Sequence, residues 1–158
     1  MSMRRKDKEI TEKSVLLEML RSAKVCRLGI CSLKGEPYVV PLCPAYCEEE
    51  HALYFHGSRG GQKHSMLREN PRGCFEIEEG ITLVENEDPC EWGMHYRSLV
   101  GFGKVEFLDA PEEKQRGLNI IVEHYTGKPS KQIFPEQMLQ RVDLFRIPIE
   151  SLTGRQSL

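Results

Sequence analysis

A succession of apolar segments of strand length, joined by short turns, occupies most of residues 25–107 and restricts the fold more than any other feature. Only the turn LKGE separates the first two segments, VCRLGICS and PYVVPLCPAY, and this pattern predicts a hairpin. Further strands are predicted for ALYFHG, RGCFEIEEGITLV, RSLVGFGKVEFL and VDLFRIPI, the last of which is expected to close the chain. The polar segment ENEDPCEWGMHY is expected to be a loop between two of these strands.

Helical segments flank and interrupt the strands. Thr11 is predicted to cap an amphipathic helix. The apolar side chains that recur at helical spacing in it are Val15, Leu16, Met19, Leu20 and Ala23. A short helix over QKHSMLREN is expected to stop at Pro71, and a longer helix to begin at Pro111 and end before Gly127. The segments together predict a mainly β protein with helices (α+β), in which an antiparallel barrel or a strongly curved sheet forms the core.

The composition bounds the class of protein. With 158 residues and 39% hydrophobic content, the chain is predicted to form one domain over residues 1–158. Its 22 basic and 24 acidic residues nearly balance, which argues against a general nucleic-acid-binding protein. No apolar run approaches the roughly 20 residues of a membrane helix, and MSMRRKDKEI lacks a signal-peptide core, so a cytoplasmic protein is expected. The six cysteines contain no CxxC pair, so unpaired thiols and no metal site are expected.

Two prolines lie inside the second predicted strand. Pro41 and Pro44 have no N–H group to donate to a strand ladder. The strand is therefore expected to have a free edge, a bulge or a ligand beside it at these positions.

The stretch YFHGSRGGQK, residues 54–63, contains three glycines together with an arginine and a lysine. A strand that runs into a Gly-rich turn and then a helix start directs several backbone N–H groups at one place, which favours an anion. His56 and Ser58 add hydrogen-bond donors, and Arg59 and Lys63 add positive charges that suit a phosphate monoester. The spacing matches neither the Walker A loop nor GxGxxG, so a flexible surface turn is the alternative interpretation. His64 is expected to point away from the phosphate into solvent.

Four segments, taken in order, resemble one known family: PYVVPLCPAY, LYFHGSRGGQKHSMLRENPRGCFEI, YRSLVGFGKVEFL and LFRIPIESLTGR. They are similar to the FMN-binding split-barrel proteins related to pyridoxamine 5′-phosphate oxidase, and most similar to the nitroimidazole-resistance branch. The resemblance runs from MRRKDKEI to the TGR near the C-terminus, so it covers nearly the whole chain. It implies an antiparallel split β-barrel and a homodimer with two FMN molecules bound between its subunits.

The resemblance also implies which residues hold FMN. Its phosphate-binding turn falls on His56, Gly57, Ser58, Gly61, Gln62 and Lys63. The strand that contains Val40, Pro41 and Leu42 would lie along the flavin ring and offer it backbone groups. Ser98 would come near the cofactor in the dimer.

The chain departs from the oxidase itself in two places. The oxidase has a basic strand motif where this chain has VVPLC, so weaker FMN binding is expected. Its C-terminal arginine and histidine pattern for substrate has no counterpart here. Oxidation of vitamin B6 is therefore not expected.

Flavin carries its own redox chemistry, so the lack of a catalytic triad does not argue against an enzyme. His95, Trp92 and Tyr96, in the segment CEWGMHY, could line a pocket for a small-molecule substrate over the flavin. The aromatic rings would stack on the substrate, and His95 would donate a proton. The alternative is an aromatic lid that only covers the end of the barrel.

The resemblance and the phosphate chemistry together predict an FMN-dependent reductase. It would pass electrons from NAD(P)H or another donor to a small electron-poor substrate such as a nitroaromatic. Two other functions stay open: a non-catalytic flavin- or haem-binding module, and a deazaflavin-dependent enzyme. The charged tail of deazaflavin would require more basic groups than lie near Lys63.

Overall fold

The computed structural model describes residues 5–158, which form two antiparallel sheets with helices packed around them. The strands are β1 Cys26–Cys31, β2 Pro37–Leu42, β3 Ala45–Cys47, β4 Ala52–Ser58, β5 Arg72–Val84, β6 Gly93–Lys104, β7 Glu106–Phe107, β8 Val142–Pro148 and β9 Ser151–Ser157. The first sheet has the order β2-β1-β5-β6-β9, and the second has the order β3-β4-β8-β7. This mixture of antiparallel strands and helices confirms the predicted α+β class.

Four α-helices lie in the described range: α1 Lys13–Ser22, α2 Gln62–Glu69, α3 Pro111–Thr126 and α4 Glu136–Arg141. As predicted, α3 begins with Pro111, and Gly127 follows it in the left-handed conformation, with φ 66°. In this part of the chain, no helix has both the length and the apolar character needed to cross a membrane.

The core fixes the strands that carry the predicted site residues. Phe55 of β4 stacks on Phe145 of β8, with ring centroids 5.2 Å apart. Phe75 of β5 lies across from Gly101 of β6, where a Cβ atom would be only 2.2 Å from Phe75 Cζ. The Phe75 ring fills the space that a side chain at position 101 would occupy, so β5 packs directly on the backbone of β6.

The predicted first hairpin is confirmed, and its second strand is shorter than expected. β1 and β2 pair from Cys26 opposite Leu42 to Cys31 opposite Pro37. β2 is the terminal strand of its sheet, so the predicted free edge at Pro41 is present. The chain then leaves this sheet near Pro44, and β3 joins the edge of the second sheet. A proline at this point interrupts the ladder because it has no N–H group.

Three local predictions are wrong. Glu12, not Thr11, precedes the first residue of α1, and no side chain caps this helix. The predicted loop over residues 85–96 is shorter, because β6 begins at Gly93. β9 follows VDLFRIPI as a further strand. Its sequence, SLTGRQS, is polar and carries little apolar alternation, so pairing with β6 rather than local preference makes it a strand.

Candidate functional site

The phosphate turn, residues 56–63, joins the end of β4 to the start of α2. β4 is buried up to Phe55 and exposed from His56 onward, so its last residues reach the surface. Gly60 and Gly61 both have φ 86°, a conformation that side chains rarely adopt. Gly61 precedes α2 and no side chain caps the helix. The first N–H groups of α2 are therefore available to a ligand.

Lys63 lies over the end of β4. A Cβ atom on Gly57 would be 3.1 Å from Lys63 Nζ, so the missing side chain at Gly57 makes room for the ammonium group. Within residues 5–158, Lys63 has neither a hydrogen-bonded nor an ion-paired partner for Nζ. Burial lowers the pKa of Lys63, and the Asp143 carboxylate partly opposes this effect. The half-buried, unpaired cation suits an incoming phosphate group.

Asp143 on β8 anchors the phosphate turn from the opposite strand. It lies directly across from Gly57 in the β4–β8 ladder and is only 7% exposed. One carboxylate oxygen, Oδ2, accepts a hydrogen bond from the Gly60 N–H at 3.1 Å and lies 2.5 Å from Nδ1 of His64. The same atom therefore holds both the turn and the first turn of α2.

The prediction for His64 is wrong, and sequence reasoning missed Asp143. His64 is half-buried and bonded to Asp143 rather than pointing into solvent. Asp143 is 79 residues away in sequence, so no local motif connects the two. The available signal was an acidic residue inside the apolar segment VDLF, because a buried carboxylate needs a specific partner.

The structure brings together the residues predicted to hold a phosphate. All of them lie in one continuous segment: His56, Gly57, Ser58, Gly61, Gln62 and Lys63. The side chains of His56 and Ser58 are exposed at the end of β4, and Gln62 is exposed at the start of α2. Together with Lys63 and the free N–H groups, they fit a phosphate monoester.

The strip predicted to lie along a flavin ring is on the other sheet. Val40, Pro41 and Leu42 belong to β2, whose outer edge has no partner strand within the described residues. Pro41 is exposed, and Val40 and Leu42 are half-buried. The backbone of β2 can therefore offer hydrogen bonds to a flat ligand along this edge.

The remaining predicted residues lie on the β5–β6 ribbon, residues 79–97, or just beyond it. Ser98 pairs with Glu78 and with Arg155, on the two neighbouring strands. Two strands separate β6 from β2, which at the usual spacing places Ser98 about 14 Å from the β2 edge. A single chain thus does not bring Ser98 alongside Val40, Pro41 and Leu42.

The predicted substrate-pocket residues are on the same ribbon. His95 is exposed, Tyr96 is half-buried and Trp92 is 48% exposed. The Trp92 indole donates a hydrogen bond to the Asn86 carbonyl at 2.7 Å, which holds the ring against the ribbon's own loop. Within one chain these three residues lie on or next to β6 of the first sheet, whereas the phosphate turn follows β4 of the second sheet.

A cavity of about 740 Å³ lies elsewhere. It is bounded by β3, α3 and residues 130–133. None of the predicted site residues lines it. The phosphate turn, most of whose residues are exposed, is separate from this cavity.

Known proteins share this sequence pattern and this fold. The sequence profile described as pyridoxamine 5′-phosphate oxidase matches residues 12–156. A candidate 5-nitroimidazole antibiotic resistance protein from Bacteroides thetaiotaomicron is 31% identical. The similarity covers 94% of this chain and 86% of that one, with a TM-score of 0.79. These two matches confirm the family that the sequence resembles.

Two further solved structures are similar. A FAD-binding protein from Mesorhizobium loti is 26% identical over 93% of this chain and 96% of its own, with a TM-score of 0.65. A FAD and haem binding protein from Mycobacterium smegmatis is 18% identical over 95% of this chain and 73% of its own, with a TM-score of 0.82. The latter supports the fold alone, which is the predicted split barrel. No curated protein matches the sequence.

Proposed function

Because the chain belongs to the pyridoxamine 5′-phosphate oxidase family, we propose that it binds FMN at the phosphate turn and acts as a flavin-dependent reductase. Electrons from NAD(P)H or another donor would pass to a small electron-poor substrate such as a nitroaromatic. The bound flavin would supply the redox chemistry, and the protein would supply binding, orientation and exclusion of water.

The observation that carries this proposal is the unpaired ammonium group of Lys63. It lies over Gly57, beside the uncapped start of α2. A phosphate group at this position would gain a charge-assisted hydrogen bond from Lys63 and further bonds from backbone N–H groups. The β2 edge at Val40, Pro41 and Leu42 would orient the flavin ring by its backbone groups.

A homodimer with FMN at the subunit interface would complete the site. Within one chain, Ser98 lies about 14 Å from the β2 edge, so it does not sit beside a flavin ring held along that edge. The ribbon also exposes large apolar side chains: Ile81, Leu83, Trp92 and Met94. An exposed apolar group of this size is typical of an interface. In the dimer, His95, Trp92 and Tyr96 of one subunit would line the substrate pocket of its partner.

Flavin binding is tested by titrating the purified protein with FMN and following the quenching of flavin fluorescence. We expect Lys63→Ala to weaken binding by about 30-fold, because a charge-assisted hydrogen bond contributes about 2 kcal/mol. Lys34→Ala, which changes an exposed lysine in the β1–β2 turn, is the matched control and should bind like the unchanged protein. Equal affinity in all three proteins would contradict the proposed phosphate position.

A non-catalytic flavin-binding module is the second candidate. The observation that favours it is that His95, Trp92 and Tyr96 lie on or next to a strand of the first sheet, whereas the phosphate turn follows a strand of the second sheet. Oxidation of NADH or NADPH that depends on an added nitroaromatic separates the two functions. Turnover supports the reductase, whereas tight FMN binding without turnover supports the module.

A further inference from the structure

A second cavity, about 330 Å³ in volume, adjoins the phosphate turn. It lies between the turn, α2, the start of α3 and α4. Its charged and polar lining residues are Arg59, Arg68, Asp109, Lys114, Glu136 and Gln140. A water molecule takes roughly 30 Å³ in the liquid, so the cavity has ample room for a phosphate group.

Lys114 is a buried cation that no carboxylate contacts directly, although Asp109 and Glu136 line the same cavity. Its side chain is on α3 and the residue is only 7% exposed. Nζ donates to the Leu139 carbonyl at 2.8 Å and to the Val142 carbonyl at 2.7 Å, which leaves one of its three donors free. Within residues 5–158 no carboxylate lies within ion-pair distance of it. A neutral glutamine could serve one of these carbonyls, so the hydrogen bonds alone do not explain a buried charge.

Arg59 is a second cation that lacks a carboxylate partner among the described residues. It belongs to the phosphate turn, and its Nη1 donates only to the Gln140 carbonyl, at 3.3 Å. Arg68 differs, because it is held in two hydrogen bonds to Asp109 at 2.6 and 2.9 Å and stacks on Phe107 at 3.7 Å. Arg68 and Asp109 therefore neutralise each other. Among the other charged lining residues, Arg59 and Lys114 face the single carboxylate of Glu136, so the cavity keeps one excess positive charge.

We propose that this cavity is a second phosphate subsite, which receives a further phosphate group of a dinucleotide. An anion in the cavity would give Lys114 a directly bonded counter-charge and would accept its third hydrogen bond. Arg59 is shared by the turn and the cavity, so the two phosphate sites are continuous. The link to the flavin site rests on the proposed function. Two ligands carry the required chemistry: FAD in place of FMN, and the reduced nicotinamide dinucleotide that donates electrons.

The experiment measures binding by calorimetry for inorganic pyrophosphate, FMN, FAD and NADPH. The proteins are the unchanged chain and the variants Arg59→Gln, Lys114→Gln and Glu136→Gln. Loss of one positive charge should weaken pyrophosphate binding about fivefold, and loss of the Glu136 charge should tighten it about threefold. Arg59 and Glu136 are exposed, so Arg59→Gln and Glu136→Gln should fold. These two variants still test the proposal if Lys114→Gln does not fold.

Comparing FMN, FAD and NADPH identifies which ligand supplies the second phosphate group. If FAD is the ligand, it binds more tightly than FMN, and Lys114→Gln removes only this excess. Arg59→Gln also weakens FMN binding, because Arg59 belongs to the turn as well as to the cavity. If NADPH is the ligand, it competes with pyrophosphate while FAD gains nothing over FMN. Pyrophosphate affinity that is equal in all four proteins, or absent, overturns the subsite even when FMN binds at Lys63. Charge-dependent pyrophosphate binding in a chain that holds no flavin supports the subsite and contradicts the proposed function.

Discussion

The phosphate turn and the β5–β6 ribbon both contain predicted site residues, but the fold supports them differently. The turn is one short segment held on two sides, because Asp143 bonds both Gly60 and His64. The ribbon extends beyond the sheet and exposes Ile81 and Leu83. The turn is therefore organised within a single chain, whereas the ribbon lacks the contacts that would place its side chains over a ligand. Under the proposed function, cofactor binding would therefore depend on one chain, whereas substrate selection would depend on the subunit contact.

The largest effect on this comparison is expected from Asp143→Ala. The change leaves the Gly60 N–H and the His64 ring without their buried acceptor, so the free energy of unfolding should fall by about 3 kcal/mol. FMN affinity should fall with it, because the turn loses its anchor. Asp88→Ala on the ribbon removes an exposed acceptor from the Cys90 N–H and should cost less than about 1 kcal/mol. Urea denaturation measures both, and equal losses would remove the distinction between the two regions.

A smaller effect is expected from alanine at glycines with positive φ. Gly61 on the turn and Gly80 on the ribbon have φ 86° and 64°, and a Cβ atom at either position would meet nothing within 4 Å. Each substitution should therefore cost about 1–2 kcal/mol of backbone strain. Only Gly61→Ala should also weaken FMN binding, by about tenfold. A loss of FMN affinity in Gly80→Ala would show that the ribbon takes part in holding the phosphate.

The pH dependence of FMN binding should report Lys63. Burial lowers the pKa of this lysine in the free protein, and a bound phosphate favours its charged form. FMN affinity should therefore be fully present at neutral pH and fall as the pH rises through the lowered pKa. FMN affinity should therefore be lower at pH 10 than at pH 7.5, a range in which the phosphate charge itself no longer changes. Lys63→Arg should bind FMN without this decline, and an identical pH profile in both proteins would contradict the assignment.

The smallest effect on stability is expected on the ribbon. Ile81→Ser and Leu83→Ser replace exposed side chains, so each should change the free energy of unfolding by less than about 0.5 kcal/mol. Both should nevertheless shift the proposed dimer toward monomer, because they would remove apolar area from its interface. Sedimentation velocity measures the shift. If the mass in solution does not change, the ribbon does not form the subunit contact.

Much of the fold could be predicted from local sequence. The β1–β2 hairpin, the free edge at Pro41 and the limits of α3 at Pro111 and Gly127 follow from turn chemistry and from proline's missing N–H group. Secondary structure was predicted wrongly where the local sequence has only a weak preference for helix or strand. The polar strand β9 exists because β6 offers it an edge, and α1 starts without a side-chain cap at Thr11.

The sequence by itself determined the phosphate turn, because its glycines, its helix start and Lys63 are within ten residues of one another and need no distant partner to be recognised. Only the tertiary structure decided that Asp143 anchors this turn and that His64 faces inward. It also separated Ser98 from the β2 edge by two strands. The physical reason is that backbone conformation is set mainly by neighbours in sequence, whereas burial and pairing of charges depend on which strands the fold places side by side.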